Sequence, residues 1–98
     1  MLPANIKNVV STMLTETKEG NIKWEYDSFL SKISAKHKDI DMDIQYKFDF
    51  DNEISSFSLD IFRGGKTYPF KETAYESDYD LINRLYQEAI ASDFGDFT

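Results

Sequence analysis

The sequence predicts a two-layer α+β domain in which an N-terminal helix, an antiparallel sheet of three to four strands and a C-terminal helix follow one another. Apolar residues recur with helical spacing near both ends of the chain, whereas they alternate with polar residues in between. Each helix has one apolar stripe and the sheet has one apolar face. Both helices are therefore expected to cover the same face of the sheet.

The first helix is predicted at about residues 4–18. Pro3 suits the first turn, where its missing N–H group costs no hydrogen bond, and Gly20 can adopt the left-handed conformation that ends a helix. Five apolar residues fall on one face at helical spacing: Ile6, Val9, Val10, Met13 and Leu14.

Period-two alternation predicts the strands. A first strand begins at Ile22 and continues weakly to Ala35, with a bend or interruption expected near Asp27 and Ser28. The strongest strand signal lies at residues 38–50, where six apolar residues share one parity. They are Ile40, Met42, Ile44, Tyr46, Phe48 and Phe50. The next strand carries Phe57, Leu59 and Ile61.

Glycine and proline mark the end of the sheet. Gly64 and Gly65 predict a tight hairpin turn, because glycine readily adopts positive φ angles. The strand that follows contains Pro69, which cannot donate a ladder hydrogen bond, and is expected at an edge. The last helix is expected to begin with Ser77 as its capping residue, and residues 93–98 are expected to fray.

Length and composition limit the function. Ninety-eight residues are enough for a single domain, 1–98, and 41% hydrophobic residues are enough for a core. The absence of cysteine excludes disulfides and thiolate chemistry. No signal peptide and no apolar run of about 20 residues is present, so a cytoplasmic protein is expected.

The charge balance argues against a nucleic-acid or membrane binder. The chain carries 11 Lys and Arg against 18 Asp and Glu, a formal net charge of −7. Binding to an anionic polymer or bilayer needs a basic patch. A partner protein with a basic surface remains compatible with this charge.

A row of carboxylates is the main candidate binding feature. Asp39, Asp41 and Asp43 alternate along the predicted strand, so they would point to one face about 6.6 Å apart. Asp49 extends the row, and Asp60 is placed to join it from the next strand. A rigid row of anions can imitate a phosphate backbone and occupy a basic groove.

The alternative is that this row is an ordinary solvated sheet face. The exposed face of a two-layer domain must be polar in any case. Lys32, Lys36 and Lys47 would then neutralise the aspartates in cross-strand pairs.

Catalytic and metal sites are not expected. A calcium loop starting at Asp39 would need glycine and glutamate where Ile44 and Phe50 stand. His37, the single histidine, has no visible orienting partner and is expected in an exposed turn. The chain is therefore expected to be non-enzymatic, with no cofactor and no metal.

One segment carries a resemblance. The run Thr17-Lys18-Glu19-Gly20-Asn21-Ile22-Lys23-Trp24 follows the first helix, and Leu85-Tyr86 lies in the last one. This combination resembles a loose group of short uncharacterised bacterial and phage proteins with the pattern Thr-Lys-x-Gly-x-Ile-x-Trp. The resemblance implies a helix–sheet–helix domain and implies no activity or site residue.

Two functions follow as hypotheses. The first is an acidic protein-binding module, such as an inhibitor, immunity or anti-defence protein, that covers a basic nucleic-acid-binding surface of another protein through Asp39, Asp41, Asp43, Asp49 and Asp60. The alternative is a structural or assembly protein that acts as a homodimer. Its contact would be the exposed sheet face or the edge strand near Tyr68 and Pro69.

Overall fold

The computed structural model describes residues 1–95 of the chain. Two helices, α1 (Ala4–Lys18) and α2 (Tyr79–Phe94), flank five strands in sequence: β1 (Glu25–Asp27), β2 (Lys32–His37), β3 (Ile40–Asp49), β4 (Ile54–Arg63) and β5 (Lys66–Thr73). The strands form one antiparallel sheet in which each pairs with its neighbours in sequence. The predicted α+β class and the predicted bounds of α1 are confirmed.

The sheet has five strands because the segment after α1 divides in two. The break expected near Asp27 is a turn at residues 28–31, in which the Asp27 carboxylate accepts hydrogen bonds from the backbone N–H groups of Phe29 and Leu30. Ile22 and Trp24 precede β1 rather than lying in a strand, yet both are buried. Their alternation therefore reports burial on one side of an extended segment.

One hydrophobic core lies between the helices and one face of the sheet. Both helices contribute to it, as predicted, and they also pack against each other. Phe57 of β4 sits beneath α2, with its ring centroid 5.1 Å from those of Tyr79 and Tyr86. The fully buried apolar residues include Val10, Trp24, Ile33, Met42, Ile44, Leu59, Ile82 and Leu85.

The last helix begins later than predicted. Ser77 lies outside α2, and Asp78 precedes its first residue without a side-chain capping hydrogen bond. The Asp78 carboxylate instead accepts the backbone N–H of Leu2 at 2.6 Å. Asp93 and Phe94 still belong to α2, whereas residues 96–98 of the tail predicted to fray lie outside the described residues.

The ends of the sheet agree with the glycine and proline signals. Gly64 and Gly65 form the turn between β4 and β5 with φ angles of +61° and +75°. The strand that contains Pro69 is an edge strand, as predicted.

Neither α1 nor α2 has the length and apolar character that a membrane span requires, in the part of the chain that the structure describes.

Candidate functional site

The open face is the side of the sheet that the helices leave uncovered. Successive side chains of a strand point to opposite faces, so the residues next to buried positions such as Ile44 and Leu59 lie on the open face. Its charged members on the strands are Glu25, Asp27, Lys32, Lys36, Asp41, Asp43, Lys47, Asp49, Asp60 and Lys71. Six of these ten residues are acidic, so the face carries a net negative charge together with several lysines.

Three of the five predicted acidic residues lie together on the open face. Asp43 of β3 and Asp60 of β4 are directly opposite each other in the antiparallel register. Asp41 lies two positions from Asp43 on the same strand, so both point to the same side. Directly opposed side chains have Cβ atoms about 4.5–5.5 Å apart, so the carboxylates of Asp43 and Asp60 are close neighbours. Asp41, Asp43 and Asp60 are called the acidic triad below.

Lysine neutralises part of the acidic triad. The Nζ atom of Lys32 lies 3.5 Å from a carboxylate oxygen of Asp43. Lys36 is opposite Asp41 in the register of β2 and β3, but within residues 1–95 no ion pair shorter than 4.0 Å joins the two. In the part of the chain that the structure describes, Asp60 makes no such pair either. Among the three triad residues, the predicted cross-strand neutralisation is therefore seen at Asp43 within these described residues.

The surroundings of the acidic triad are partly apolar. A shallow hollow of about 500 Å³ lies on the open face, and Lys36, Asp43 and Phe62 are among its lining residues. Lys47 lies farther along β3, opposite Ser56. Asp41 and Asp43 of the triad thus border a hollow with an aromatic side chain, which is a surface for contact rather than a closed pocket.

Asp39 is separated from the acidic triad. It lies in the turn before β3, and its Oδ2 atom accepts a hydrogen bond from Arg63 Nε at 2.9 Å. Both side chains are more than half exposed, so this ion pair contributes little stability. The alternation that predicts the row does not reveal the arginine, because Arg63 is 24 residues away in the sequence.

Asp49 is occupied by the turn between β3 and β4. Its carboxylate accepts hydrogen bonds from the backbone N–H groups of Asp51 and Asn52 and, at 2.8 Å, from the Asn52 side chain. The Asn52 side-chain hydrogen bond is the main cause that lowers the pKa of Asp49 below its ordinary value of 3.8. Asp49 therefore holds the turn in place, in addition to carrying charge at the edge of the open face.

A second acidic cluster binds the chain's own N-terminal segment. The Met1 ammonium lies 2.5 Å from Glu72 Oε1 and 2.8 Å from Glu76 Oε2. Asp78 accepts the Leu2 N–H and also faces Lys7, at 3.7 Å from its Nζ atom. The structure shows that Glu72 and Asp78 are buried and that the cluster is filled from within the chain.

This cluster predicts a dependence of stability on pH. Hydrogen bonds to Glu72 and then Glu76 raise the pKa of the Met1 ammonium from 8.0 to about 10. The ammonium in turn lowers the pKa of Glu76 from 4.5 to about 2. The stability that the folded state gains from the raised pKa of the ammonium is fully present below pH 8 and is lost as the pH rises to about 10. The stability gained from the lowered pKa of Glu76 is fully present above pH 4.5 and is lost as the pH falls to about 2.

We expect the free energy of unfolding, measured with urea, to fall on both sides of neutral pH. The Glu76→Gln variant should show a weaker decline on both sides, whereas Glu19→Gln, at the end of α1, should behave like the unmodified chain. Equal stability at pH 7 and pH 10 in the unmodified chain would contradict this assignment.

His37 differs from the sequence expectation. It is the last residue of β2, half buried on the helix side of the sheet, and its buried Nε2 atom has no hydrogen-bond partner. The sequence predicts this residue in an exposed turn between two strands, whereas β2 extends to include it.

Among the residues that the structure describes, no group of three or more His, Cys, Asp or Glu side chains is arranged to hold a metal ion.

The comparisons with known proteins return no match: no family model, no curated protein and no solved structure is significantly similar to this chain. The resemblance of residues 17–24 to short bacterial and phage proteins therefore stays a prediction. The structure accounts for that segment in its own terms. Gly20 has a φ of +79° just after α1, and Ile22 and Trp24 are core residues.

Proposed function

We propose that this chain is a non-enzymatic protein-binding module of the cytoplasm that uses the open face to cover a basic surface on a partner protein. An inhibitor, immunity or anti-defence protein that blocks a nucleic-acid-binding surface is the form of this function that the charge favours. The carboxylates of the open face would take the place of the phosphates, and they would pair with the lysines and arginines that otherwise bind nucleic acid.

The opposition of Asp43 and Asp60 is the observation that supports this proposal. Like charges directly opposite each other on neighbouring strands destabilise a sheet. A serine or lysine at residue 60 would remove the repulsion at no cost to the core, since the position lies on the uncovered side. Lys32 offsets this repulsion in part at Asp43, and a basic partner would compensate the rest, because its cations would lie beside the carboxylates.

The rigidity of the sheet adds to this argument. Asp41, Asp43 and Asp60 are held on the two longest strands of the sheet, each of 10 residues. Their spacing is therefore set before a partner arrives, which lowers the conformational cost of binding. Electrostatic contacts of this kind raise the association rate, and salt weakens them strongly.

The test is a pull-down from a lysate of the source organism, read by mass spectrometry, with the triple variant Asp41→Asn/Asp43→Asn/Asp60→Asn beside the unmodified chain. A control variant, Glu19→Gln/Glu88→Gln/Asp93→Asn, removes the same charge from α2 and from the residue that follows α1. We expect a nucleic-acid-binding protein that the unmodified and control chains retain and the triple variant loses by at least tenfold. Added duplex DNA or RNA should release that protein.

Three outcomes would contradict the proposal. The first is a partner retained equally by all three chains. The second is a partner that nucleic acid does not displace. The third is self-association alone, seen as a mass in light scattering that rises with concentration, which would favour the homodimer alternative. For a homodimer, β5 offers a poor edge, since Pro69 interrupts its hydrogen-bond donors and Lys66 and Lys71 carry like charges.

A further inference from the structure

A second surface lies where two turns meet at one end of the sheet. The turn at residues 28–31 packs beside β3, because the Ser31 carbonyl accepts the Tyr46 N–H at 2.9 Å and Gln45 Nε2 donates to the Leu30 carbonyl at 3.0 Å. The turn at residues 50–53 follows β3 directly. Both turns therefore lie at the same end of the sheet.

Four large apolar side chains are exposed at this end. Phe29 is 97% exposed and Phe50 is 82% exposed, while Leu30 and Phe48 are about half exposed. The rings of Phe48 and Phe50 meet edge to face, with centroids 4.9 Å apart. Phe29, Leu30, Phe48 and Phe50 are called the aromatic end below. Single exposed apolar residues are common, but four large ones at the same end of a sheet are typical of a contact surface.

Both turns of the aromatic end are held in the same way. Asp27 accepts the N–H groups of Phe29 and Leu30, and Asp49 accepts those of Asp51 and Asn52. An aspartate therefore fixes each turn before any partner binds. Phe29 and Phe50 are presented to solvent from ordered backbone, as anchors that need little rearrangement on binding.

The charge around the aromatic end favours one kind of binding partner over others. Asp51 and Glu53 follow Phe50, are exposed, and make no ion pair within residues 1–95. Two copies of the chain joined through this end would bring these carboxylates together, and an anionic lipid surface would repel them. A segment that combines apolar side chains with lysine or arginine satisfies both the rings and the carboxylates.

We propose that the aromatic end is a docking site for a short apolar segment of a partner protein in which lysine or arginine residues flank the apolar side chains. Phe29 and Phe50 anchor the apolar part, and Asp51 and Glu53 pair with the basic residues. This site is separate from the acidic triad, so it stands or fails independently of the function proposed above.

The experiment uses a displayed library of random 12-residue peptides as the probe. The library is selected on the unmodified chain, and the enriched peptides are synthesised and titrated in low and high salt. We expect enriched peptides with both aromatic or aliphatic residues and lysine or arginine. The Phe29→Ser/Phe50→Ser variant should bind them at least tenfold more weakly, and Asp51→Asn/Glu53→Gln should weaken binding severalfold in low salt only.

Two controls separate this site from others. Tyr75→Ser removes an aromatic ring that is 84% exposed elsewhere on the surface and should leave binding unchanged. The Asn-substituted acidic triad should also leave peptide binding unchanged. Circular dichroism checks that each variant keeps its fold, and the charge variant tests the site even if the ring variant does not fold.

Four results would overturn the proposal. Enriched peptides that bind the ring variant as well as the unmodified chain would place the contact elsewhere. Enrichment without basic residues would refute the role of Asp51 and Glu53, and no enrichment would refute the docking site. Self-association, or binding to neutral or anionic phospholipid vesicles, that is lost in the ring variant would assign the aromatic end to another occupant.

Discussion

Replacement of Trp24 by alanine is expected to lower the free energy of unfolding by about 3–5 kcal/mol, because it empties a large volume that the core cannot refill. The indole ring is 1% exposed and joins the end of α1 to the start of the sheet. Its Nε1–H group donates to Thr17 Oγ1 at 2.8 Å, and that hydroxyl donates to the Met13 carbonyl at 2.6 Å. Urea unfolding followed by circular dichroism measures the change.

Two milder variants separate packing from hydrogen bonding at this site. Trp24→Phe keeps most of the ring and should cost less than Trp24→Ala. Thr17→Val leaves the buried indole N–H without an acceptor, which costs about 1–3 kcal/mol. Phe50→Ala, at an exposed ring, should change stability by less than about 0.5 kcal/mol. Equal losses for Trp24→Ala and Phe50→Ala would show that Trp24 does not contribute to the core as the structure places it.

Replacement of Asp78 by alanine is expected to lower the free energy of unfolding by about 1–3 kcal/mol, because the Leu2 N–H then loses its charged acceptor in a buried position. Asp78 is 5% exposed, and Leu2 is 4% exposed. The carboxylate also lies near Lys7, so its removal weakens a second contact between the start of the chain and α2. Thermal and urea unfolding both report this change.

Neighbouring substitutions distinguish this role from helix capping. Asp78→Asn keeps an oxygen acceptor and should retain a large part of the stability. Asp80→Ala removes an exposed acidic residue from the first turn of α2 and should cost less, at about 0.3–1 kcal/mol. If Asp80→Ala costs more than Asp78→Ala, the contact between Asp78 and Leu2 does not contribute as we expect.

The sequence predicts the fold wherever the spacing of apolar residues matches the side of the helix or strand that is buried. Ile40, Met42 and Ile44 alternate in sequence and are the buried side of β3. The start of α2 differs from the prediction by one residue, since Asp78 and not Ser77 precedes the helix. Local pattern also cannot show that the Asp78 carboxylate accepts the N–H of Leu2, 76 residues away, instead of capping the helix.

The candidate site was predictable only in part, for the same reason. Alternation places Asp41 and Asp43 on one face, and the antiparallel register brings Asp60 opposite Asp43. It cannot show that Arg63 binds Asp39, or that the turn engages Asp49, since these partners depend on how the strands end. Alternation also assigns Phe50 to the apolar side of the strand, but β3 ends at Asp49 and the Phe50 ring is exposed.

The order of the strands also determines when each contact can form. The four turns between strands span two to four residues, whereas the contact of Leu2 with Asp78 closes 76 residues. The entropy lost on loop closure grows with loop length, so the hairpins close at small cost and the chain ends at the largest. During synthesis, each strand finds its partner in the strand made just before it. The first helix, made earliest, completes its packing only after the last helix has been made.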